Sequence, residues 1–373
     1  MKVLLYNMAP LYNIGGVEEW LREIAKGLSK RGHKITVCTT NYLPSVYPQS
    51  FLGERVRAIR DEIEDRYYDY LVFRRLFSRN FILHPTFLNL LNEHDIIYFE
   101  NFSISSLPAF RPLIFGFHVP FKLDALRKAF LTLTCMKRVP IGIHVLNSED
   151  YSLFKRFLTS MPRHRNVKLF LIPNGIDCNK FNPKRGSLDE SKFKILFLGR
   201  LTAQKGVDIL PNILKNLRKA GIPFELTIAG PDMGCLHIIK NMVNSFPEIV
   251  RYLGVVDKER PELYASSHVT ILPSRCEKLS LVLLESMASG TPVICSDLPV
   301  FRSLLSPINE IFNFVVNSKD DLGKAFAKRI VDLLTNEQYY NIREAVREFV
   351  LERFSLDKII LDFEKMLNFV MNM

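Results

Sequence analysis

The chain is predicted to fold as two doubly wound α/β domains, each a parallel sheet with helices on both faces. Three observations predict it. At 373 residues the chain exceeds what one core organises and suits two units of about 150–200 residues. Short, almost uniformly apolar runs alternate with amphipathic stretches of helix length, the pattern of strands covered on both sides. The alternation breaks once, at the polar, turn-rich CNKFNPKRGSLDESK near 177–192, and then begins again.

The first series opens with VLLYN (3–7) as a strand, and a loop with Gly15 and Gly16 leads into a helix over 17–30. Trp20, Leu21, Ile24, Ala25 and Leu28 share that helix's apolar face. The helix ends at Gly32, and KITVCTT resumes as a strand, which makes a βαβ opening with parallel pairing the default. Further strands are predicted at 95–100, 112–118, 141–147 and 167–174, with helix-like stretches between them. The second series has strands at 193–201, 223–230, 249–255, 268–274 and 292–297. Helices are expected over 207–220, near 235–246 and over 281–289. The last segment, from Phe354, is amphipathic, with Ser355 as its cap and Ile359, Ile360, Phe363, Met366 and Leu367 needing a surface to cover.

Composition narrows the class. Hydrophobic residues make up 47% and charged residues 24%, as in globular proteins. No apolar run reaches the roughly 18 uncharged residues of a membrane span, and MKVLLYNMAP reads as a strand rather than a leader. Six scattered cysteines without a CxxC pair fit reduced thiols in the cytoplasm. The charge is lopsided: residues 1–185 carry 27 Lys+Arg against 16 Asp+Glu, a net of +11, and the remainder carries 23 of each. A basic first half beside a neutral second half points to an anionic partner: a membrane surface, a phosphorylated acceptor or nucleic acid. The cations are not interleaved with aromatics in a nucleic-acid module, so nucleic acid is not expected.

In doubly wound sheets ligands sit beyond the carboxyl ends of the strands. That rule selects Gly15-Gly16, His118, Asn147 to Glu149, Asn174-Gly175, Arg200, Lys205, Gly230 and the stretch from Ser274 to Ser280. In LFLGRLTAQKGVD, Arg200 and Lys205 share one loop and suit a diphosphate, Arg as a planar fork and Lys as a point charge. PSRCEKLSLVLLESMASGTPV sets Glu277 in the loop after a strand and Glu285 inside the next helix. Between them the amides near Leu279, Ser280 and Leu281 lie at a helix start, which favours an anion. Carboxylates are acceptors and suit sugar hydroxyls. An anion between two sets of hydroxyls outlines a nucleoside diphosphate sugar.

GGVEEW, IPNGID, GRLTAQKG and the frame from Pro273 to Val293 resemble the retaining glycosyltransferases of the glycosyl transferases group 1 family, with the GT-B fold. The resemblance runs over nearly the whole chain, and the glutamate pair with seven residues between is its specific part. It implies two Rossmann-like domains facing across a cleft: 1–184 on the acceptor side, joined by a crossing-back helix over 356–373, and 188–355 for the nucleotide sugar. It implies transfer of a sugar from a UDP-, GDP- or ADP-sugar to a glycan or lipid-linked acceptor, with no cofactor and no metal. Arg200 and Lys205 would bind the diphosphate, with Leu279 and Ser280 offering main-chain N–H groups; Gly16 would let the N-terminal loop approach it. Glu277 and His118 would serve the sugar at the reacting centre, and Glu285 the ribose. An enzyme of this kind would be cytoplasmic, peripheral to an anionic membrane face. One departure stands out: where the family carries EGFG, this chain has Glu277-Lys278-Leu279-Ser280, which bears on donor choice and on activity itself. Two other readings stay open, a nucleotide-sugar epimerase or hydrolase on the same scaffold and a basic nucleic-acid-binding module.

Overall fold

The computed structural model describes residues 1–7, 9, 11, 15–40, 69–73, 85–101, 109–118, 123–161, 166–185, 188, 191–317 and 321–373. Parts of the loop before Gly15 and of the polar linker lie outside these residues. The chain forms two compact units: Met1–Gly175 with Leu356–Met373, and Ile176–Ser355.

The first unit holds strands β1 (Lys2–Asn7), β2 (Lys34–Thr40), β3 (Asp69–Phe73), β4 (Ile96–Glu100), β5 (Leu113–Phe117), β6 (Ile141–Val145) and β7 (Val167–Leu171). Its helices are α1 (Gly16–Lys30), α2 (Pro85–Glu93), α3 (Ala125–Cys135) and α4 (Ser148–Thr159). The sheet order is β3-β2-β1-β4-β5-β6-β7, and every pair is parallel. Alternation splits the core into two layers, as a period of two requires. Val3 and Leu5 of β1 join Trp20, Leu21, Ile24 and Leu28 of α1 on one face. Leu4 and Tyr6 join Phe99, Phe115 and Phe154 on the other.

The second unit holds β8 (Phe193–Leu198), α5 (Leu210–Lys219), β9 (Phe224–Ala229), α6 (Leu236–Ser245), β10 (Val250–Tyr252), α7 (Arg260–Ala265) and β11 (Val269–Leu272). It continues through α8 (Leu281–Ala288), β12 (Val293–Ser296), α9 (Pro299–Leu305), β13 (Val315–Val316), α10 (Leu322–Leu334) and α11 (Tyr339–Phe354). The sheet runs β10-β9-β8-β11-β12-β13, again parallel throughout. The helix expected over 207–220 begins later, at Leu210: Gly206 takes a left-handed φ of 75° between two 3-10 turns, and the α-helix starts only beyond them.

The units divide at Gly175, earlier than the polar linker, because the segment from Ile176 onward is tied to the second unit. Ile176 N–H donates to the Phe354 carbonyl at 2.8 Å, and the Phe181 ring meets Tyr264 edge-on. The final helix, α12 (Leu356–Met371), returns to the first unit and buries Ile359, Ile360, Phe363, Met366, Leu367 and Val370 in the layer beneath α1. Among the described residues no helix is long and apolar enough to cross a membrane.

Candidate active site

In the second unit the strand order reverses between β8 and β11, so the loops leaving these two neighbours diverge from one point. That is where an open parallel sheet binds ligands. The loop after β8 carries Arg200, which is exposed and has no side-chain partner among the described residues, and then Lys205. Thr202 caps the intervening turn, its hydroxyl accepting from Lys205 N–H at 3.3 Å. Gly206 is required next: a Cβ there would stand 2.0 Å from the Pro273 carbonyl oxygen, on a backbone that side chains rarely adopt. This close approach presses the first loop against the loop after β11.

The contact brings the expected groups together. Lys205 Nζ donates to Glu277 Oε1 at 2.6 Å, and the Ser274 hydroxyl donates to the same oxygen at 2.8 Å. The ammonium is 19% and the carboxylate 8% exposed, so the pair is shielded but reachable. Arg275 N–H donates to the Gln204 carbonyl at 2.8 Å, and the Arg275 guanidinium grips Asp208 with two bonds of 2.6 Å. The Arg275 hydrogen bonds hold the Asp208 carboxyl below its ordinary range.

Ser280 caps α8, accepting from Leu283 N–H at 3.4 Å on its hydroxyl and from Leu284 N–H at 3.3 Å on its carbonyl. The amides just ahead are those a helix cannot pair with its own carbonyls, and they lie at its positive end. Leu279 and Ser280, which stand where the resembled motif has its aromatic and its second glycine, are buried in the unit.

Glu285 is buried, with its side chain 1% exposed. Arg260 Nη1 donates to Oε1 at 2.6 Å and the Tyr264 hydroxyl to Oε2 at 2.8 Å, so α7 is locked onto α8 through this carboxylate. Sequence reasoning missed Arg260 and Tyr264. The burial of a glutamate inside an apolar helix was itself a signal that a cation must lie nearby.

In the first unit, His118 follows β5 and Gly16 opens α1. At the preceding Gly15 a Cβ would fall 2.2 Å from Glu18 Oε2. His118 is buried, and burial pushes its imidazole down to about 3. Its partner was not foreseen: Glu100, from the end of β4, reaches His118 Nδ1 at 2.5 Å and accepts from the His118 backbone N–H at 3.1 Å. Tyr98, two residues earlier on the same strand, contacts His144 Nδ1 at 2.9 Å, passing over Gly116, where a Cβ would lie 1.6 Å from its hydroxyl.

Comparisons with known proteins agree with this architecture. The sequence profile of Glycosyltransferase Family 4 matches residues 14–180, and that of Glycosyl transferases group 1 matches residues 192–336. The chain is 27% identical over 227 residues to a glycogen synthase of Thermodesulfovibrio yellowstonii, covering 53% of this chain and 45% of that one. It is 24% identical over 370 residues to an uncharacterized glycosyltransferase of Methanocaldococcus jannaschii, covering 93% and 92%. The chain spans less than half the length of the first curated relatives it matches. The crystal structure of Anabaena HepE in complex with UDP and glucose superposes with a TM-score of 0.69 at 20% identity, over 99% of each chain. Two family profiles that between them take in most of the residues, laid over two doubly wound parallel sheets, mark the chain as a member of the glycosyl transferases group 1 family with the GT-B fold.

Proposed function

We propose that the chain is a glycosyltransferase that moves a sugar from a nucleoside diphosphate sugar to an acceptor with retention of anomeric configuration. The observation that carries this is the Lys205–Glu277 contact of 2.6 Å at the sheet's switch point, with the start of α8 beside it. A cation, a carboxylate and helix amides at one spot match a phosphate next to a hydroxyl-bearing ring.

Arg200 and Lys205 take the diphosphate and stabilise the charge that grows on it as the glycosidic bond breaks, together with the main-chain groups of Leu279 and Ser280. With two cations in that role the reading calls for no metal and no cofactor. Glu277 takes the sugar hydroxyls. Glu285 takes the ribose, its carboxylate suiting hydroxyl groups. In the first unit, Gly16 serves the approach of the loop to phosphate and His118 serves the sugar. Similarity to a protein crystallised with UDP and glucose favours testing UDP-sugars first, with GDP- and ADP-sugars beside them. The basic first half favours a lipid-linked or glycan acceptor at the cytoplasmic face of an anionic membrane.

A thermal-shift panel of UDP-, GDP- and ADP-sugars tests donor binding. A donor at about 100 times its dissociation constant adds about 2.7 kcal/mol, and Arg200→Ala or Lys205→Ala diminishes the shift. Product analysis with and without acceptor separates transfer from hydrolysis or epimerisation, and the product's anomeric coupling gives the stereochemistry. Equal sedimentation with neutral and anionic vesicles would remove the membrane part of the reading.

A further inference from the structure

The first unit contains a buried polar layer around His118, of which the proposed function uses that one side chain. β4 and β5 are neighbours with Glu100 opposite Gly116, so a side chain at the end of β4 meets the residue just beyond β5. Glu100 and His118 are 1% and 2% exposed, and their contact excludes water. The His118 backbone N–H can only donate, so Glu100 Oε1 is an acceptor and Oε2 is the atom that shares a proton with Nδ1. Charge is costly here on both sides: burial raises the Glu100 carboxyl well above its ordinary range and depresses the His118 imidazole. The arrangement without net charge has Oε2–H donating to Nδ1, which leaves the ring hydrogen on Nε2.

The neighbouring histidine obeys the same constraint. His144 Nε2 faces the Ile172 carbonyl at 2.8 Å, which only accepts, so its Nδ1 accepts from the Tyr98 hydroxyl. His118 differs in one respect. Among the described residues, His118 Nε2 and Trp20 Nε1 are both buried without a hydrogen-bond partner, and their rings lie 3.9 Å apart. Buried N–H groups are rarely left unpaired, and two side by side call for an acceptor oxygen.

We infer that Glu100 is a positioning residue that holds His118 as the Nε2–H tautomer, so that His118 Nε2–H and Trp20 Nε1–H present a pair of donors to a carbohydrate oxygen. The carbohydrate rests on the reading of His118 given under Proposed function; the tautomer does not. An ionised Glu100 would put the ring hydrogen on Nδ1 and turn Nε2 into an acceptor, the opposite polarity toward a ligand.

Two variants of the full-length chain, Glu100→Gln and Glu100→Leu, test this with histidine nitrogen NMR and steady-state kinetics. Glutamine copies a protonated carboxyl, its amide donating to Nδ1 while its oxygen accepts the backbone N–H. The wild type and Glu100→Gln are expected to show His118 as neutral Nε2–H between about pH 6 and 8. In Glu100→Leu, kcat/KM falls at least about tenfold, and glutamine restores it to within about threefold of wild type. Trp20→Phe is expected to raise KM for the sugar nucleotide. An Nδ1–H signal in the wild type, or glutamine as damaging as leucine, overturns the assignment of Glu100; an unchanged KM in Trp20→Phe overturns the donor pair. If Glu100→Leu does not fold, the NMR of wild type and glutamine still decides. Absence of product with every donor would defeat the transferase reading alone, since the NMR signal does not depend on turnover.

Discussion

The Lys205 ammonium and the Glu277 carboxylate, 72 residues apart in sequence, form an ion pair of 2.6 Å where β8 and β11 end. The cation read as a diphosphate ligand and the carboxylate read as a sugar ligand are thus one unit, and disturbing either changes the charge that the other presents. Lys205→Met and Glu277→Gln are each expected to lower kcat by about 10²–10³-fold, the range for removing one transition-state donor. The double variant should cost little more than the worse single one, because groups that act together are not additive. A kinetic double-mutant cycle checks this, and independent, multiplying losses would refute it.

Glu285 is expected to matter for stability as well as binding. Glu285→Ala leaves the Arg260 guanidinium, 11% exposed, without its main partner inside the protein. Breaking a buried pair by removing one side costs about 3–5 kcal/mol, and the remaining Asp257 contacts put this case at the low end. Tyr264→Phe should cost about 1.5–3 kcal/mol for one hydrogen bond to a charged group. Urea unfolding of the two variants measures both.

Gly206→Ala is expected to damage the site through the backbone. A non-glycine residue at φ 75° costs about 1–3 kcal/mol, and the added methyl would fall 2.0 Å from the Pro273 carbonyl oxygen. The β8 and β11 loops must then separate, which pulls Lys205 from Glu277. Denaturation gives the stability loss, and donor binding should weaken along with it.

Acid should destabilise the first unit. His118 and His144 are both pushed to about 3 by burial. From their ordinary value near 6.5 down to about 3, the unfolded chain takes up protons that the folded chain refuses, so stability falls as pH falls. Glu100 acts in the opposite sense, because its raised carboxyl keeps a proton in the fold. Its contribution is full below its ordinary value of 4.5 and is lost as pH rises through its folded value, offsetting one histidine over that window. The steepest loss is therefore expected between about pH 4.5 and 3. Thermal unfolding across this range should show it, and His144→Gln, which can still face Tyr98 and Ile172, should flatten the slope.

The final helix should be indispensable to the unit it joins. Phe363 and Leu367 are wholly buried and Met366 nearly so, in the layer shared with α1. Leu367→Ala is expected to cost about 2–5 kcal/mol. Removal of residues 356–373 should expose that layer, detected by dye binding and loss of cooperative unfolding.

Much was legible in the sequence because it is local. Strand period, helix period and the glycines at Gly206 and Gly32 can be read along a few residues, and the rule that ligands lie beyond strand ends turned those elements into a short roster of loops. From it came Arg200, Lys205, Glu277 and the start of α8 at Ser280. The partners of buried charges were not local. Arg260 meets Glu285 because α7 packs beside α8, and Glu100 meets His118 because β4 and β5 are neighbours in register, an order that sequence position does not encode. Periodicity tells which face a side chain takes, but only the order and register of strands tells which other side chain shares it. Local pattern therefore determined the two α/β series and the loops that carry the chemistry, whereas tertiary packing decided which charges are neutralised and which donors are left to meet a ligand.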